Sequence, residues 1–305
     1  EEFESEIAKY LGSNVSVALV NNGSSALLVS LLANGVKAGD TVLVPDFTFI
    51  ATASIPALLG CRIVPVDCDA ETFNIETGII GSFAQCCIFT DVAGQPCSTD
   101  IYGGTVIDDA AQAFGAETVH GKVGNSEHLT CFSFHTTKQV STVEGGCIAS
   151  RNEELIAKCR KIGDYGRTEE QYVHDTLGMN FRITDLQSAI GLLQLKKIDR
   201  TLARRQEIAD RYRKEILCVP QKVPSYVTKH GNWAFLCTGL RDREQKLREA
   251  GVDVRRAWLP IHKQPCFSMM RNFGFPNSTW AYNNALMVPI FNNMTNEQVD
   301  HVIST

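Results

Sequence analysis

The sequence has 305 residues, 44% of them hydrophobic, enough to bury a large core and to build one large domain plus a smaller one. Its formal net charge of −5, with acids and bases spread along the chain, leaves no basic stripe for nucleic acid. No apolar run approaches the length of a bilayer span and no signal-peptide pattern opens the chain, so no membrane partner is expected. The eleven cysteines show no paired CxxC spacing and no nearby histidine cluster, so no metal site is expected; inside apolar runs they read as small buried hydrophobes of a cytoplasmic protein.

In chain order, Phe3–Leu11 is an amphipathic helix with Phe3, Ile7, Tyr10 and Leu11 on one face. Val15–Val20 is a strand, broken at Asn21–Ser25, and Ala26–Ala33 continues as an apolar helix. A strand, a glycine turn and hydroxyl residues at a helix start make an anion cradle, although an ordinary serine-capped helix has the same pattern. Thr41–Val44 is a short buried strand. Asp46–Leu59 follows as a helix opening with Phe47, Thr48 and Phe49, aromatics suited to core packing or to stacking on a flat heterocycle. Arg62–Val66 is the next strand. Val106–Asp109 ends in two carboxylates that strand alternation points to opposite faces, with Gln112 one turn into a following helix.

Leu129–Phe134 is a strand, after which the chain turns polar and presents Lys138. A lysine just past a strand end sits where α/β sheets bind ligands, and a solvated surface lysine is its plainer reading. Glu144-Gly145-Gly146 and a second apolar run, Cys147–Ala149, come next. Arg151–Ile162 is a helix. A long helix runs from Asp185 to Leu217, with Thr184 as its cap and Leu195, Ile198, Leu202, Ala209, Tyr212 and Ile216 on one stripe. Val219–Pro224 is a linker, Trp233–Leu240 a strand, Arg241–Ala250 a charged helix and Gly251–Leu259 another strand, with a closing strand near Met287 and a final helix after Thr295. The pattern change divides the chain into a large domain, 1–217, and a small α+β domain, 218–305.

Seven stretches carry a further message because of their order: Asn22-Gly-Ser-Ser-Ala-Leu, Val44-Pro-Asp-Phe-Thr-Phe-Ile-Ala-Thr, Gly94-Gln-Pro, Asp108–Gly115, Phe132-Ser-Phe-His-Thr-Thr-Lys, Glu144-Gly-Gly and Gly178-Met-Asn-Phe-Arg-Ile-Thr-Asp-Leu-Gln. In these the chain resembles the DegT/DnrJ/EryC1/StrS family of pyridoxal 5′-phosphate (PLP) sugar aminotransferases, of the aspartate-aminotransferase fold type. The resemblance implies an α/β fold, PLP-dependent transferase fold type I, with a mostly parallel central sheet and a smaller C-terminal domain. It implies Ser24, Ser25 and Ser133 on the PLP phosphate, Phe49 stacked on the ring, Asp109 paired with the ring nitrogen and Gln112 on the phenolic oxygen. By the same resemblance Asn180 reaches the PLP phosphate of the partner subunit, which makes a homodimer part of the site.

Lys138 is the expected catalytic residue together with Asp109: its amine bonds the cofactor, is displaced by the amino donor and then moves protons. That task needs a depressed pKa, which an apolar pocket supplies. Sugar-dehydrating relatives carry histidine there, so lysine favours transamination. Arg182 and His262 are expected near the substrate, against the plainer readings of a surface loop arginine and a structural histidine. Relatives commonly show His-Leu-Tyr-Gly-Gln where this chain has Asp91-Val-Ala-Gly-Gln95, and the stretch from Ile75 to Val106 is short for the family. A lead-in segment is expected ahead of Glu1.

The expected reaction moves an amino group from glutamate to a nucleotide-linked keto-sugar at C4 or C3, with a lean toward perosamine-synthase-like enzymes and a GDP-linked 4-keto-6-deoxy sugar. A cyclitol aminotransferase of the same fold is one rival. A non-catalytic PLP-binding regulator is another, and the set Asp109, Gln112 and Lys138 counts against it. A nicotinamide-dependent reductase is disfavoured, because no GxGxxG follows a strand near the N-terminus.

Overall fold

The computed structural model describes residues 1–79, 84–99, 102–270 and 273–305. In chain order the large part contains α1 (Glu2–Leu11), β1 (Ser16–Val20), α2 (Gly23–Ala33), β2 (Thr41–Pro45), α3 (Ala51–Leu58), β3 (Arg62–Val66), β4 (Cys86–Thr90), β5 (Thr105–Asp109), β6 (Glu117–Thr118), β7 (Gly121–Lys122), β8 (Leu129–Ser133), β9 (Gly146–Ser150), α4 (Glu153–Gly163), α5 (Asp185–Leu195) and α6 (Ile198–Glu215). The rest contains β10 (Val219–Pro220), β11 (Val227–Lys229), β12 (Phe235–Thr238), α7 (Glu244–Glu249), β13 (Arg255–Arg256), α8 (Pro276–Asn284), β14 (Leu286–Val288) and α9 (Asn296–Ser304).

Seven strands form one sheet in the order β1-β9-β8-β5-β4-β2-β3, parallel from β8 through β3, with β9 antiparallel to both its neighbours. Strands β2, β4, β8 and β9 are buried at every position, which explains why their sequences read as continuous apolar runs rather than alternating ones. One face packs Leu27, Val29 and Leu31 of α2 and Ile156 of α4 against Ile88, Ile107 and Ile148. The other packs Phe3 and Ile7 of α1 with Phe114, Phe132, Phe134, Ile198 and Leu202.

The long helix expected from Asp185 to Leu217 is two helices. Its capping box at Thr184 and Gln187 is present, but a turn at Lys196 and Lys197 (φ −105°, ψ −1° at Lys197) separates α5 from α6. No proline or glycine stands there; Leu195 and Ile198 on either side both stay in one core, so tertiary packing sets the turn. The stretch expected as a linker is also ordered as part of a sheet. β10 pairs with β12 at the edge of a four-stranded sheet, β10-β12-β14-β13, where Pro220 needs no N–H to give.

That sheet packs with Ile208, Ala209 and Tyr212 of α6 in a separate core, whereas Leu202, nearer the start of α6, belongs to the large core. The boundary expected at residue 217 therefore falls just past a helix whose two ends pack into different cores. In the short connection between β4 and β5, the described residues form a single 3-10 turn at Val92–Gly94; residues 80–83, 100 and 101 of the Ile75–Val106 stretch lie outside the described residues. Among the described residues no helix is long and apolar enough to cross a membrane, and no cluster of His, Cys, Asp and Glu is suited to a metal ion. All eleven cysteines are free, most of them buried.

Candidate active site

The carboxyl ends of β5 and β8 and the start of α2 meet at a cavity of about 380 Å³. α2 begins where Asn22, extended at φ −169°, accepts the Ser25 N–H on its side-chain oxygen at 2.8 Å. Gly23 follows, and a Cβ there would lie 2.9 Å from the Ser133 Cβ, so the helix start can approach the end of β8 only without a side chain. Ser24 and Ser133 both line the cavity beside this helix end. Ser25 is buried and does not line it, so of the two serines expected at an anion only Ser24 presents its side chain.

Asp109 closes β5 and faces the cavity. Thr52 Oγ1 donates to its Oδ2 at 2.7 Å and the Ala111 N–H to its Oδ1 at 3.3 Å. Burial raises the Asp109 pKa, while these two donors and the nearby Lys138 pull it back down. Asp108 takes the other face, as alternation predicts, and lines a different cavity together with Asp91. Burial and the neighbouring Asp109 push Asp108 up to about 8, and Asp91 is raised by burial and by Asp108. One oxygen of each, Asp91 Oδ2 and Asp108 Oδ1, has no hydrogen-bond partner.

No helix follows Asp109, contrary to the sequence expectation. The chain turns at Ala110–Ala116, with Gly115 at φ +83°, a conformation that ends any helical path. Gln112 lies in this turn and lines the cavity. Its Oε1 accepts the Ala93 N–H at 2.8 Å, so its Nε2 is the end able to donate to a ligand.

Lys138 sits in a turn after β8, closed by its N–H to the His135 carbonyl at 2.9 Å. Its Nζ lies 4.5 Å from the ring centre of Trp233, whose indole N–H donates to the Thr137 carbonyl at 3.0 Å. Burial brings the Lys138 ammonium down to about 8, and Asp109 opposes that fall. Trp233 stacks on Trp258 at 6.0 Å, and both form an aromatic wall of the cavity.

The helix expected from Asp46 starts only at Ala51. Asp46 to Ile50 is irregular because its polar groups are spent on tertiary bonds: Thr48 Oγ1 bonds Thr52 at 2.9 Å and Thr90 at 3.3 Å. This loop separates the two phenylalanines. Phe47 is fully buried and packs edge-on against Trp258 at 5.7 Å, whereas Phe49 is 54% exposed and lines the cavity.

Besides Ser25, three expected site residues do not line this cavity. His262 is buried, with Nδ1 2.6 Å from Asp46 Oδ2, and its plainer reading as a structural histidine describes its place. Asn180 and Arg182 are exposed, with Arg182 paired to Asp164. Conversely, sequence reasoning overlooked Thr52, Trp233 and Arg255. Thr52 carried a signal, since it closes the Phe49-Ile-Ala-Thr run; Trp233 and Arg255 carried none.

The whole chain, residues 1–305, matches the DegT/DnrJ/EryC1/StrS aminotransferase family. The protein belongs to that family. It is 30% identical to the GDP-perosamine synthase of Caulobacter vibrioides over 99% of this chain and 88% of that one. It is also 30% identical, over the same shares, to an uncharacterized protein of Methanocaldococcus jannaschii. Its fold matches the crystal structure of a DegT DnrJ EryC1 StrS aminotransferase from Brucella abortus, with a TM-score of 0.93 and 25% identity over 99% of this chain and 88% of that one.

The aminotransferases of this family are PLP-dependent transaminases. The cavity fits that cofactor. A helix start pressed against β8 by Gly23, flanked by Ser24 and Ser133, suits a phosphate; a buried carboxylate, Asp109, suits a protonated ring nitrogen; and an amine of lowered pKa, Lys138, suits an aldehyde.

Proposed function

We propose that this protein transfers the amino group of glutamate to a nucleotide-linked keto-sugar, a GDP-linked 4-keto-6-deoxy sugar being the foremost choice. The observation that carries the reading is the convergence of Lys138, Asp109 and the Gly23–Ser24 helix start on one cavity. PLP bound there supplies an electron sink for negative charge developing at the donor's α-carbon. Ser24, Ser133 and the N–H groups at the start of α2 hold its phosphate, and Gln112 Nε2 donates to its phenolic oxygen. Asp109, kept in place by Thr52 and Ala111, holds the ring nitrogen in its charged form. Lys138 Nζ, with its pKa drawn down to about 8, takes the proton from the donor's α-carbon and returns it later in the cycle. The Trp233–Trp258 wall narrows the cavity beside Lys138 and keeps water from it. The sugar nucleotide is supported by likeness to the Caulobacter GDP-perosamine synthase.

The working form in this reading is a cytoplasmic homodimer. Exposed apolar side chains surround the stretch that holds Asn180: Tyr172 at 84%, Leu177 at 95% and Leu186 at 75% exposure support an interface there. Asn180 and Arg182, away from their own cavity, then serve the partner's. The free cysteines accord with a reducing compartment.

The test is direct. Protein loaded with PLP is mixed with L-glutamate, and the visible cofactor band is followed alongside 2-oxoglutarate release. GDP-linked, UDP-linked and dTDP-linked 4-keto-6-deoxy sugars and a keto-cyclitol are then offered to the aminated form. Loss of the band with glutamate and its return with a GDP-linked keto-sugar is the expected result. Return only with the cyclitol replaces the substrate, and no response to glutamate removes the enzymatic reading.

A further inference from the structure

Two carboxylates that follow neighbouring strands reach out of the sheet and grip the C-terminal part of the chain. Asp67, after β3, accepts the N–H groups of Asn277 and Ser278 at 3.0 and 2.7 Å and the Ser278 hydroxyl at 2.6 Å, at the start of α8. Asp46, after β2, is fully buried. Its carbonyl accepts the Ile261 N–H at 2.8 Å, its Oδ1 the His262 N–H at 2.8 Å, and its Oδ2 bonds His262 Nδ1 at 2.6 Å. The imidazole is engaged on its far side too, with Nε2 3.4 Å from Thr279 Oγ1 and the ring 5.0 Å from Phe275.

The Asp46 grip differs from the Asp67 grip in where its two ends lead. Phe49 lies just downstream of Asp46 and Trp258 just upstream of His262, and both line the Lys138 cavity. Between them Phe47 packs on Trp258, Trp258 stacks on Trp233, and Trp233 carries Lys138 Nζ over its ring. We propose that Asp46 and His262 are a positioning pair that fixes the separation of the Phe49 and Trp258 walls, so that cofactor affinity depends on two residues that do not touch the cofactor. The proposal rests on the PLP reading of the cavity given above.

The physical case is one of geometry more than of stability. A buried pair of this kind adds little net folding free energy, since desolvation offsets most of its attraction. What three bonds to one carboxylate-bearing residue do is remove sliding freedom between two loops, and a site of this type is sensitive to displacements of about 1 Å. Asp46 lies in an irregular stretch and His262 in a single 3-10 turn, Ile261–Lys263, so no strand ladder joins the two segments and fixes their spacing instead.

The experiment compares His262→Ala with His262→Asn, whose side-chain amide can place an N–H near the position of Nδ1. PLP affinity is titrated on the folded proteins through the visible band, well below their melting temperatures, and tryptophan quenching by acrylamide is measured in parallel. Two of the chain's three tryptophans, Trp233 and Trp258, line the cavity, so quenching reports its walls without any turnover. His262→Ala is expected to weaken PLP binding about 10-fold and to raise quenching, while His262→Asn restores both to within about threefold of the unaltered protein. An affinity unchanged in folded His262→Ala, or an Asn variant no better than the Ala variant, overturns the proposal and leaves the pair a strut. If His262→Ala does not fold, Asp46→Asn decides: it retains the shape and the Oδ1 acceptor, a loss of affinity supports positioning, and an unchanged affinity overturns it. Failure of the PLP reading shows separately, as absence of the visible band in the unaltered protein, and the quenching comparison still stands in that case.

Discussion

Asp108 and Asp109 are consecutive residues of β5 with opposite surroundings: Asp109 faces the Lys138 cavity with Thr52 donating to it at 2.7 Å, and Asp108 is buried on the other face with Asp91 and one oxygen unpartnered. Their replacement by the matching amide should therefore diverge. Asp109→Asn removes the charge that holds a ring nitrogen protonated, and its glutamate half-reaction is expected to slow by about 10²-fold or more. Asp108 is raised to about 8, so it is largely uncharged at neutral pH, and Asp108→Asn should stay within about threefold of the unaltered rate. Single-turnover kinetics on PLP-loaded protein checks both.

The same carboxyl predicts how stability varies with pH. Asp108 and Asp91 have folded pKa values raised above those of the unfolded chain, so the folded state binds more protons above about 4, up to about 8 in the case of Asp108. Their contribution is complete below the ordinary carboxyl pKa and is lost as pH rises through the folded value. The unfolding free energy from urea titration should thus fall from pH 6 to pH 8, by at most roughly 1.4 kcal/mol per pH unit for each group. Asp108→Asn should flatten the profile and be the more stable form at pH 8.

Lys138 should be the most reactive lysine of the cofactor-free chain near pH 8. Its pKa of about 8 leaves about half of it neutral there, whereas an ordinary lysine at about 10.4 is almost wholly charged. Brief exposure to an amine-selective reagent, followed by peptide mass spectrometry, should label Lys138 first among the lysines, and added PLP should protect it. The preference should fade above pH 10, where other lysines lose their protons.

Gly23→Ala should cost PLP affinity without unfolding the protein. The new methyl would meet the Ser133 Cβ at 2.9 Å and push the start of α2 away from the end of β8, with a loss of about 10- to 100-fold expected. Adding Ser133→Gly removes the atom it collides with and should recover part of the loss, which separates the steric effect from the loss of the Ser133 hydroxyl measured in Ser133→Ala.

Much of this was readable from the amino acids alone, for reasons that differ by element. Arg62–Val66 is the strand the sequence predicts, because a short apolar run between polar turns has few alternatives. The opposite facing of Asp108 and Asp109 follows from strand geometry, and the Lys138 turn from a switch between apolar and polar residues. Local patterns failed where tertiary bonds took over. A helix is expected from Asp46, but Asp46 and Thr48 bond to distant partners, Ile261 and His262 for one and Thr90 for the other. Ala110–Ala113 are good helix formers, yet the left-handed Gly115 and the approach of Ala93 to Gln112 hold that stretch in turns. His262 is expected at the substrate, and only the fold shows that it answers to Asp46, more than two hundred positions earlier. Trp233 lies just ahead of β12 and Arg255 in β13, and nothing near them in sequence announces Lys138.

Helix α6 ties two of the protein's cores, one on the large sheet and one on the C-terminal sheet, into a single unit. Leu202 near its start is anchored with Phe114 and Ile198, and Tyr212 near its end with Phe235 and Leu286. A fragment cut after residue 217 would leave Ile208, Ala209 and Tyr212 with no cover on one piece and strip them from the other. Heat or urea should consequently melt both cores together in one cooperative step, and gene dissection at that point should yield two insoluble pieces.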